Sequence, residues 1–267
     1  MAQTLTGKLL KSSTFRTFLN LESFLFLLPL LTIITGWEAA LRLQIIPSRL
    51  LPSPLKVFQA LALNLANPAF LAFTAQSLSV LTLGLLLAFF LALPLAIGTG
   101  LKHHLDAALT PLIMIFGALP DLALLPIIIY WFGPNASSAL LMAVIVAFFP
   151  IFFMVREGVG SIPADYFHAV EIYSTRRSQV FTKLIFPAVS PHMLTGIRLS
   201  YEFLWEVVLA TEIIAHISGV GFFIDASVRG GALSQAFAAL FLIGIIAIIV
   251  DRALFQNLEN RIRRWRG

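Results

Sequence analysis

Residues 161–187 read SIPADYFHAVEIYSTRRSQVFTKLIFP, and the rest of the chain is organised around this stretch. It is the longest polar interval after the N-terminus, and segments apolar enough to cross a bilayer lie on both sides of it. Pro163 is typical of a first helical turn, and Ser174 can end one helix and begin a second near Arg176. Pro187 is predicted to end that second helix. Because two short helices between membrane spans have no role in lining a pore, we expect them to face a partner outside the membrane.

The composition is that of a helical membrane protein. Of the 267 residues, 59% are hydrophobic and 12% are charged, and the mean hydropathy is +0.92. A soluble domain is nearer about one quarter charged. The net charge of +5 favours basic loops beside the cytoplasm and the lipid bilayer over nucleic-acid binding. The absence of cysteine excludes disulfides and thiolate metal sites.

Six apolar segments are long enough to cross the membrane. We predict an all-α integral membrane protein with one domain over residues 1–267 and a cytoplasmic N-terminal segment over residues 1–21. The six transmembrane helices are predicted at residues 22–42, 74–100, 108–131, 136–157, 188–214 and 230–250. The third span contains three prolines, so we expect it to be broken. Outside the spans we expect a surface helix over residues 55–65, a tight turn over 133–135 and a glycine-rich loop over 216–232.

The distribution of basic residues orients these spans. Fourteen of the 18 Lys and Arg residues fall in segments on the same side as the two termini. The positive-inside rule therefore predicts that both termini and the 161–187 segment are cytoplasmic.

The 161–187 segment resembles the "EAA" loop of ABC-importer permeases. That loop has the pattern E-A-A, three residues, Gly, nine residues and I-x-L-P. The corresponding positions here are His168-Ala169-Val170, Ser174 and Leu184-Ile185-Phe186-Pro187. The spacing agrees throughout, although His168 stands in place of Glu and Ser174 in place of Gly.

Other stretches resemble the nitrate/sulfonate/taurine/bicarbonate class of these permeases. They are Trp37-Glu38, Leu51-Pro52-Ser53-Pro54, Leu125-Pro126, Trp131-Phe132-Gly133, Leu194-Thr195-Gly196-Ile197-Arg198 and Gly219-Val220-Gly221-Phe222. Taken in order, the resemblance runs from about residue 25 to residue 260. It implies a type I ABC-importer permease fold with short cytoplasmic coupling helices, in the bacterial inner membrane.

The resemblance implies a transport subunit without an ATPase site of its own. A second permease chain, expected to be identical, would complete the pathway, with an extracytoplasmic substrate-binding protein and two cytoplasmic ABC ATPase subunits as partners. The sequence has no G-x-x-x-x-G-K-[ST] motif, so we expect ATP and Mg on the ATPase and no cofactor or metal in this chain. The residues expected to couple to the ATPase are Asp165, His168, Ala169, Val170, Glu171, Ser174, Arg176 and Arg177.

Ionisable residues inside predicted spans are candidates for the translocation pathway. The candidates are Asp121, Glu202, Glu206 and Glu212, with Trp205 beside them. Ordinary packing is the alternative for Trp205, and a surface position at a helix end is the alternative for Glu212. The family favours an oxyanion as solute, whereas the membrane acids favour a cationic or neutral vitamin precursor. A secondary transporter or channel, with Asp121, Glu202 and Glu206 as an ion relay, is the alternative function; it would have no need of the 161–187 segment.

Overall fold

The computed structural model describes residues 28–173 and 177–264, and all the regular structure in these ranges is helical. The helices are α1 (residues 28–42), α2 (Pro54–Ala66), α3 (Pro68–Leu101), α4 (His103–Gly117), α5 (Asp121–Phe132), α6 (Ala136–Gly160), α7 (Ala164–Tyr173), α8 (Arg177–Val180), α9 (Phe186–Ile214), α10 (Val220–Arg229), α11 (Leu233–Val250) and α12 (Gln256–Arg264). A π-helical turn, Phe181–Ile185, joins α8 to α9, and another, Asp251–Phe255, joins α11 to α12.

Asparagine caps determine where two of the spans begin. Asn67 Oδ1 accepts a hydrogen bond from the Ala69 N–H at 3.0 Å, directly before the proline that opens α3. Asn135 Oδ1 accepts from the Ser137 N–H at 2.9 Å and opens α6. Gly133, just before it, has φ 80°, a conformation that favours glycine. The predicted tight turn is therefore confirmed, and the predicted surface helix is α2.

The core is built on α6, which lies between α3 and α9 and packs along both. The side of α3 that faces α6 carries a small residue at every fourth position: Gly84, Ala88, Ala92 and Ala96. A Cβ added at Gly84 would overlap the Cβ of Ala143 in α6. On the other side, a Cβ added at Gly196 of α9 would lie 3.0 Å from the Cα of Ile151. Small residues allow this close approach, and van der Waals contact then holds the helices together in lipid.

Three of the described helices are long and apolar enough to cross a membrane: α3, α6 and the continuous stretch Leu233–Ile262. The pair α4 and α5 gives a fourth candidate, bent by 90° at its break. This bend confirms the prediction of a broken third span. The 29-residue α9 carries Arg198, Glu202, Glu206 and Glu212, and α1 is described only from residue 28. The count of six spans therefore stays a prediction.

Two predicted boundaries are wrong. Pro187 does not end a helix, because the chain continues through the π-helical turn into α9. There the Phe186 N–H donates to the carbonyl of Phe181, five residues back. Pro187 then falls in the first turn of α9, where its missing N–H costs nothing. The predicted loop over residues 216–232 contains α10; Gly219 and Gly230 flank this helix, and Gly221 lies in its first turn.

Candidate functional site

The helix α7 turns a polar surface away from the core. Phe167 packs partly against the core, whereas Asp165, His168 and Ala169 are exposed. Val170 is half-buried at the edge of this surface. The four coupling candidates whose side chains are described therefore lie on or beside one exposed helical surface. Of the others, Ser174 and Arg176 lie outside the described residues, as do the side chains of Glu171 and Arg177.

The link between α6 and α7 is short and hydrogen-bonded. The Ser161 N–H donates to the Glu157 carbonyl at 2.9 Å, and Ser161 Oγ donates to the Gly158 carbonyl at 2.9 Å. Only residues 161–163 separate the two helices. A displacement of α7 would therefore be passed directly to the end of α6.

Three of the predicted pathway acids lie on an open side of the subunit. Asp121 is half-buried in the first turn of α5, close enough to Glu206 of α9 for the two carboxylates to interact electrostatically. Glu206 and Glu202 are both exposed, one turn apart. The Glu202 carboxylate lies 3.8 Å from Arg198 Nε. Their place on a translocation pathway stays a prediction.

The other two pathway candidates lie inside the subunit. Trp205 is 7% exposed and packs edge-on against Tyr201, with the ring centroids 6.2 Å apart. Glu212 is 1% exposed. These two residues are seven apart on α9 and share its buried side, whereas Glu202 and Glu206 lie on the adjacent, exposed side.

Glu212 joins three helices through buried hydrogen bonds. Ser77 Oγ of α3 donates to Glu212 Oε1 at 2.6 Å, and the Gly221 N–H of α10 donates to Oε2 at 2.7 Å. Ser77 Oγ also accepts from the Val220 N–H at 2.9 Å. A Cβ at Gly219 would overlap the Glu212 carboxylate, so this approach requires glycine. The first backbone N–H groups of α10 are thereby satisfied by side chains of α3 and α9.

Two ion pairs between helices were not predicted from the sequence. Arg156 of α6 forms a bidentate pair with Asp106 of α4, and Arg198 Nη2 of α9 lies 2.9 Å from Asp251 Oδ1 in the second π-helical turn. The members of each pair are about fifty residues apart, and the charges resemble the basic and acidic residues that normally border spans. The available signal for the second pair was Arg198, a charge inside the predicted span over residues 188–214.

The profile of a protein family matches residues 81–264, and its description is "binding-protein-dependent transport system inner membrane component". The chain belongs to this family. It is thus an inner-membrane component of a binding-protein-dependent transport system, and the resemblance found in the sequence is confirmed.

The relatives of this permease are transport permease proteins. The taurine transport system permease protein of Escherichia coli is 30% identical over 89% of this chain and 88% of the relative. The formylaminopyrimidine transport permease protein of Halalkalibacterium halodurans is 27% identical over 94% of this chain and 98% of the relative. Other relatives are permeases of aliphatic sulfonate, bicarbonate and nitrate systems.

The fold of this permease is also found in a solved structure. The MetNI methionine ABC transporter, in an inward-facing conformation, contains a chain that aligns with a TM-score of 0.63 at 16% identity. The alignment covers 73% of this permease and 95% of that chain. The similarity confirms an importer-permease fold.

Proposed function

We propose that two copies of this chain form the translocation pathway of an ATP-driven importer, each contributing six spans with cytoplasmic termini. An extracytoplasmic binding protein delivers the solute. Two cytoplasmic ATPases bind ATP and Mg and drive the movement of the spans. The family of the chain supports the binding protein, and the fold it shares with a permease of an ABC transporter supports the ATPase.

The observation that carries the proposal is the exposed surface of α7. Phe167 packs one side of this helix against the core, while Asp165 and Ala169 are exposed on the side that faces away from it. The short link over residues 161–163, held by the hydrogen bond of Ser161 Oγ, connects α7 to α6, the helix at the centre of the subunit. A protein that moves α7 would therefore move the core span α6 as a rigid body.

Co-purification with the candidate ATPase tests this proposal. Ala169→Glu places a bulky acid on the exposed surface of α7 and is expected to release the ATPase and its stimulated hydrolysis. The matched control is Ala253→Glu, at an exposed alanine in the π-helical turn before α12, which is expected to keep both. If Ala169→Glu retains the ATPase, or if the chain alone transports without ATP, α7 is not the coupling surface and an ion relay becomes the better explanation.

The solute is proposed to be cationic or neutral. Within the described residues, neither Asp121 nor Glu206 has an ion-pair or hydrogen-bond partner, and both face the open side of the subunit. Unpaired carboxylates along a path repel an oxyanion and attract a positively charged or hydrogen-bond-donating solute. Formylaminopyrimidine, named for a relative that covers almost the whole chain, donates hydrogen bonds and has no anionic group, whereas taurine carries an anionic sulfonate beside its ammonium. Neutralising either acid is expected to lower uptake of such a solute.

A further inference from the structure

A bidentate ion pair joins the first turn of α4 to the last turns of α6. Arg156 Nε donates to Asp106 Oδ1, and Arg156 Nη2 donates to Oδ2 at 2.7 Å. Thr110 Oγ1, one turn further along α4, donates to Asp106 Oδ1 at 2.6 Å. Two parallel bonds between planar groups fix orientation as well as distance. The pair therefore fixes the orientation of the first turn of α4 relative to the end of α6.

Apart from α3, from which Lys102 alone separates it, few contacts hold α4 against the subunit. Thr110 is its only buried residue, and the whole of α4 is described. More than half of the surface of four large apolar side chains is exposed: Leu112, Met114, Ile115 and Phe116. Further along, Ile113 packs partly against the core, and Gly117 lies against the ring of Phe149. The ion pair thus attaches the start of α4 to α6, and apolar packing supports the end of α4.

The ion pair lies on the route from α7 to the predicted pathway. Arg156 is four residues before the end of α6, and the bonded link over residues 161–163 then leads into α7. On the other side, Asp106 lies near the start of α4, which leads through the 90° bend to Asp121. Movement of α7 therefore reaches α4 by way of this pair.

We propose that the Asp106–Arg156 ion pair makes α4, and with it the bend that carries Asp121, follow the movement of α7. This proposal rests on the proposed function, because it takes α7 as the surface moved by the ATPase. The two side chains are 27% and 33% exposed, and a partly solvated pair adds little to stability. Its effect is positional: α4 keeps its orientation relative to α6 while both move. Both members are therefore positioning residues.

The absence of native cysteine allows this movement to be followed with one introduced thiol. Leu119→Cys places it in the bend, at a position that is 41% exposed. The complex with the ATPase and the binding protein is reconstituted, and the rate of alkylation by N-ethylmaleimide is measured with and without ATP and orthovanadate. We expect nucleotide to change the rate by about fivefold or more, which corresponds to a modest allosteric coupling.

Variants of the pair then identify its contribution. Arg156→Gln is expected to abolish the nucleotide response, and Arg156→Lys, which cannot form the bidentate bond, is expected to reduce it. The double variant Asp106→Arg with Arg156→Asp is expected to restore the response, because the pair is rebuilt with opposite polarity. The matched control is Arg229→Gln, which removes an ion pair confined to α10, where Arg229 Nε donates to Asp225 Oδ1 at 3.0 Å.

The outcomes separate this proposal from the proposed function. A full nucleotide response in Arg156→Gln overturns the role of the ion pair but not the proposed function. So does a loss of response in Arg229→Gln that equals the loss in Arg156→Gln. Failure of the charge exchange to restore the response while the ATPase stays bound also overturns it. No response to nucleotide in the Leu119→Cys parent, while the ATPase stays bound and hydrolyses ATP, overturns this proposal alone, whereas failure of the ATPase to co-purify overturns the proposed function and this proposal with it.

Discussion

Replacing Ser77 with alanine should loosen the start of α10 from the rest of the subunit. The hydroxyl of Ser77 makes two of the three hydrogen bonds that join α3, α9 and α10 around Glu212. Removing it leaves the Val220 N–H and one oxygen of the Glu212 carboxylate without these partners. Both groups lie in a site where Ser77 and Glu212 are almost fully buried, so water does not readily replace the lost bonds.

The size of the effect follows from the number of groups left unpaired. Each buried polar group without a partner costs about 1–3 kcal/mol, so Ser77→Ala should destabilise this region by about 2–6 kcal/mol. That is a large fraction of the roughly 5–15 kcal/mol that separates a folded domain from its unfolded state. Glu212→Gln should have a smaller effect, because the side chain keeps its shape and one acceptor oxygen while the second becomes a donor.

Hydrogen exchange of a peptide spanning residues 218–222, together with thermal unfolding in detergent, measures this effect. We expect exchange at least about tenfold faster in Ser77→Ala, since about 1.4 kcal/mol corresponds to a factor of ten. The matched control is Ser79→Ala, on the same helix, where an exposed hydroxyl donates to the Gln76 carbonyl at 2.7 Å. It should stay within about 0.5 kcal/mol of the native protein. Equal exchange in Ser77→Ala and Ser79→Ala would refute the argument.

Two further predictions concern the helix packing and the solute. Gly84→Val should destabilise the subunit by about 1–3 kcal/mol, because the larger side chain overpacks against Ala143. The measurement is the unfolding temperature, which should be lower than that of the control Gly244→Val, at a position where an added Cβ meets nothing within 4 Å. Equal unfolding temperatures would contradict the close contact of α3 and α6. Asp121→Asn and Glu206→Gln should each lower the uptake of labelled formylaminopyrimidine by cells expressing the whole transporter, because the proposed path loses negative charge. The control is Glu38→Gln, which removes an acid paired with Arg42 within α1 and should leave uptake unchanged. Unchanged uptake in both pathway variants would leave these acids without a role in selectivity.

The outline of the fold could be predicted from the sequence because its signals are local. Three prolines in one apolar segment predicted the broken span, and Gly133 with Asn135 predicted the turn before α6. Local signals gave a wrong helix boundary where the backbone departs from α-helical geometry. Pro187 was predicted to end a helix because a π-helical turn, which shifts the hydrogen bonds by one residue, has no clear sequence pattern.

The contacts between helices could not be predicted in this way. Ser77 and Glu212 are 135 residues apart, and a lone serine in an apolar span gives no sign of its partner. The pairing of Asp106 with Arg156 could not be predicted either, since each charge alone is ordinary at the end of a span. The small residues at every fourth position of α3 indicate a close helix contact, but they do not identify α6 as the neighbour. The family was predictable because the spacing of the 161–187 pattern lies within one segment.

The acids of the spans can be divided according to whether the subunit itself provides them with partners. Glu212 has Ser77 and the start of α10, and Asp251 has Arg198, so these carboxylates are satisfied within one chain and hold its helices together. Asp121 and Glu206 have no such partner among the described residues, although a carboxylate within a membrane is costly unless something polar faces it. Among residues 28–173 and 177–264 nothing polar pairs with them, which leaves these carboxylates open to water, solute or a second chain. This division, which the sequence alone does not reveal, is the physical reason why the prediction of a pathway role is kept for Asp121 and Glu206, whereas Glu212 is assigned to the hydrogen bonds that hold the helices together.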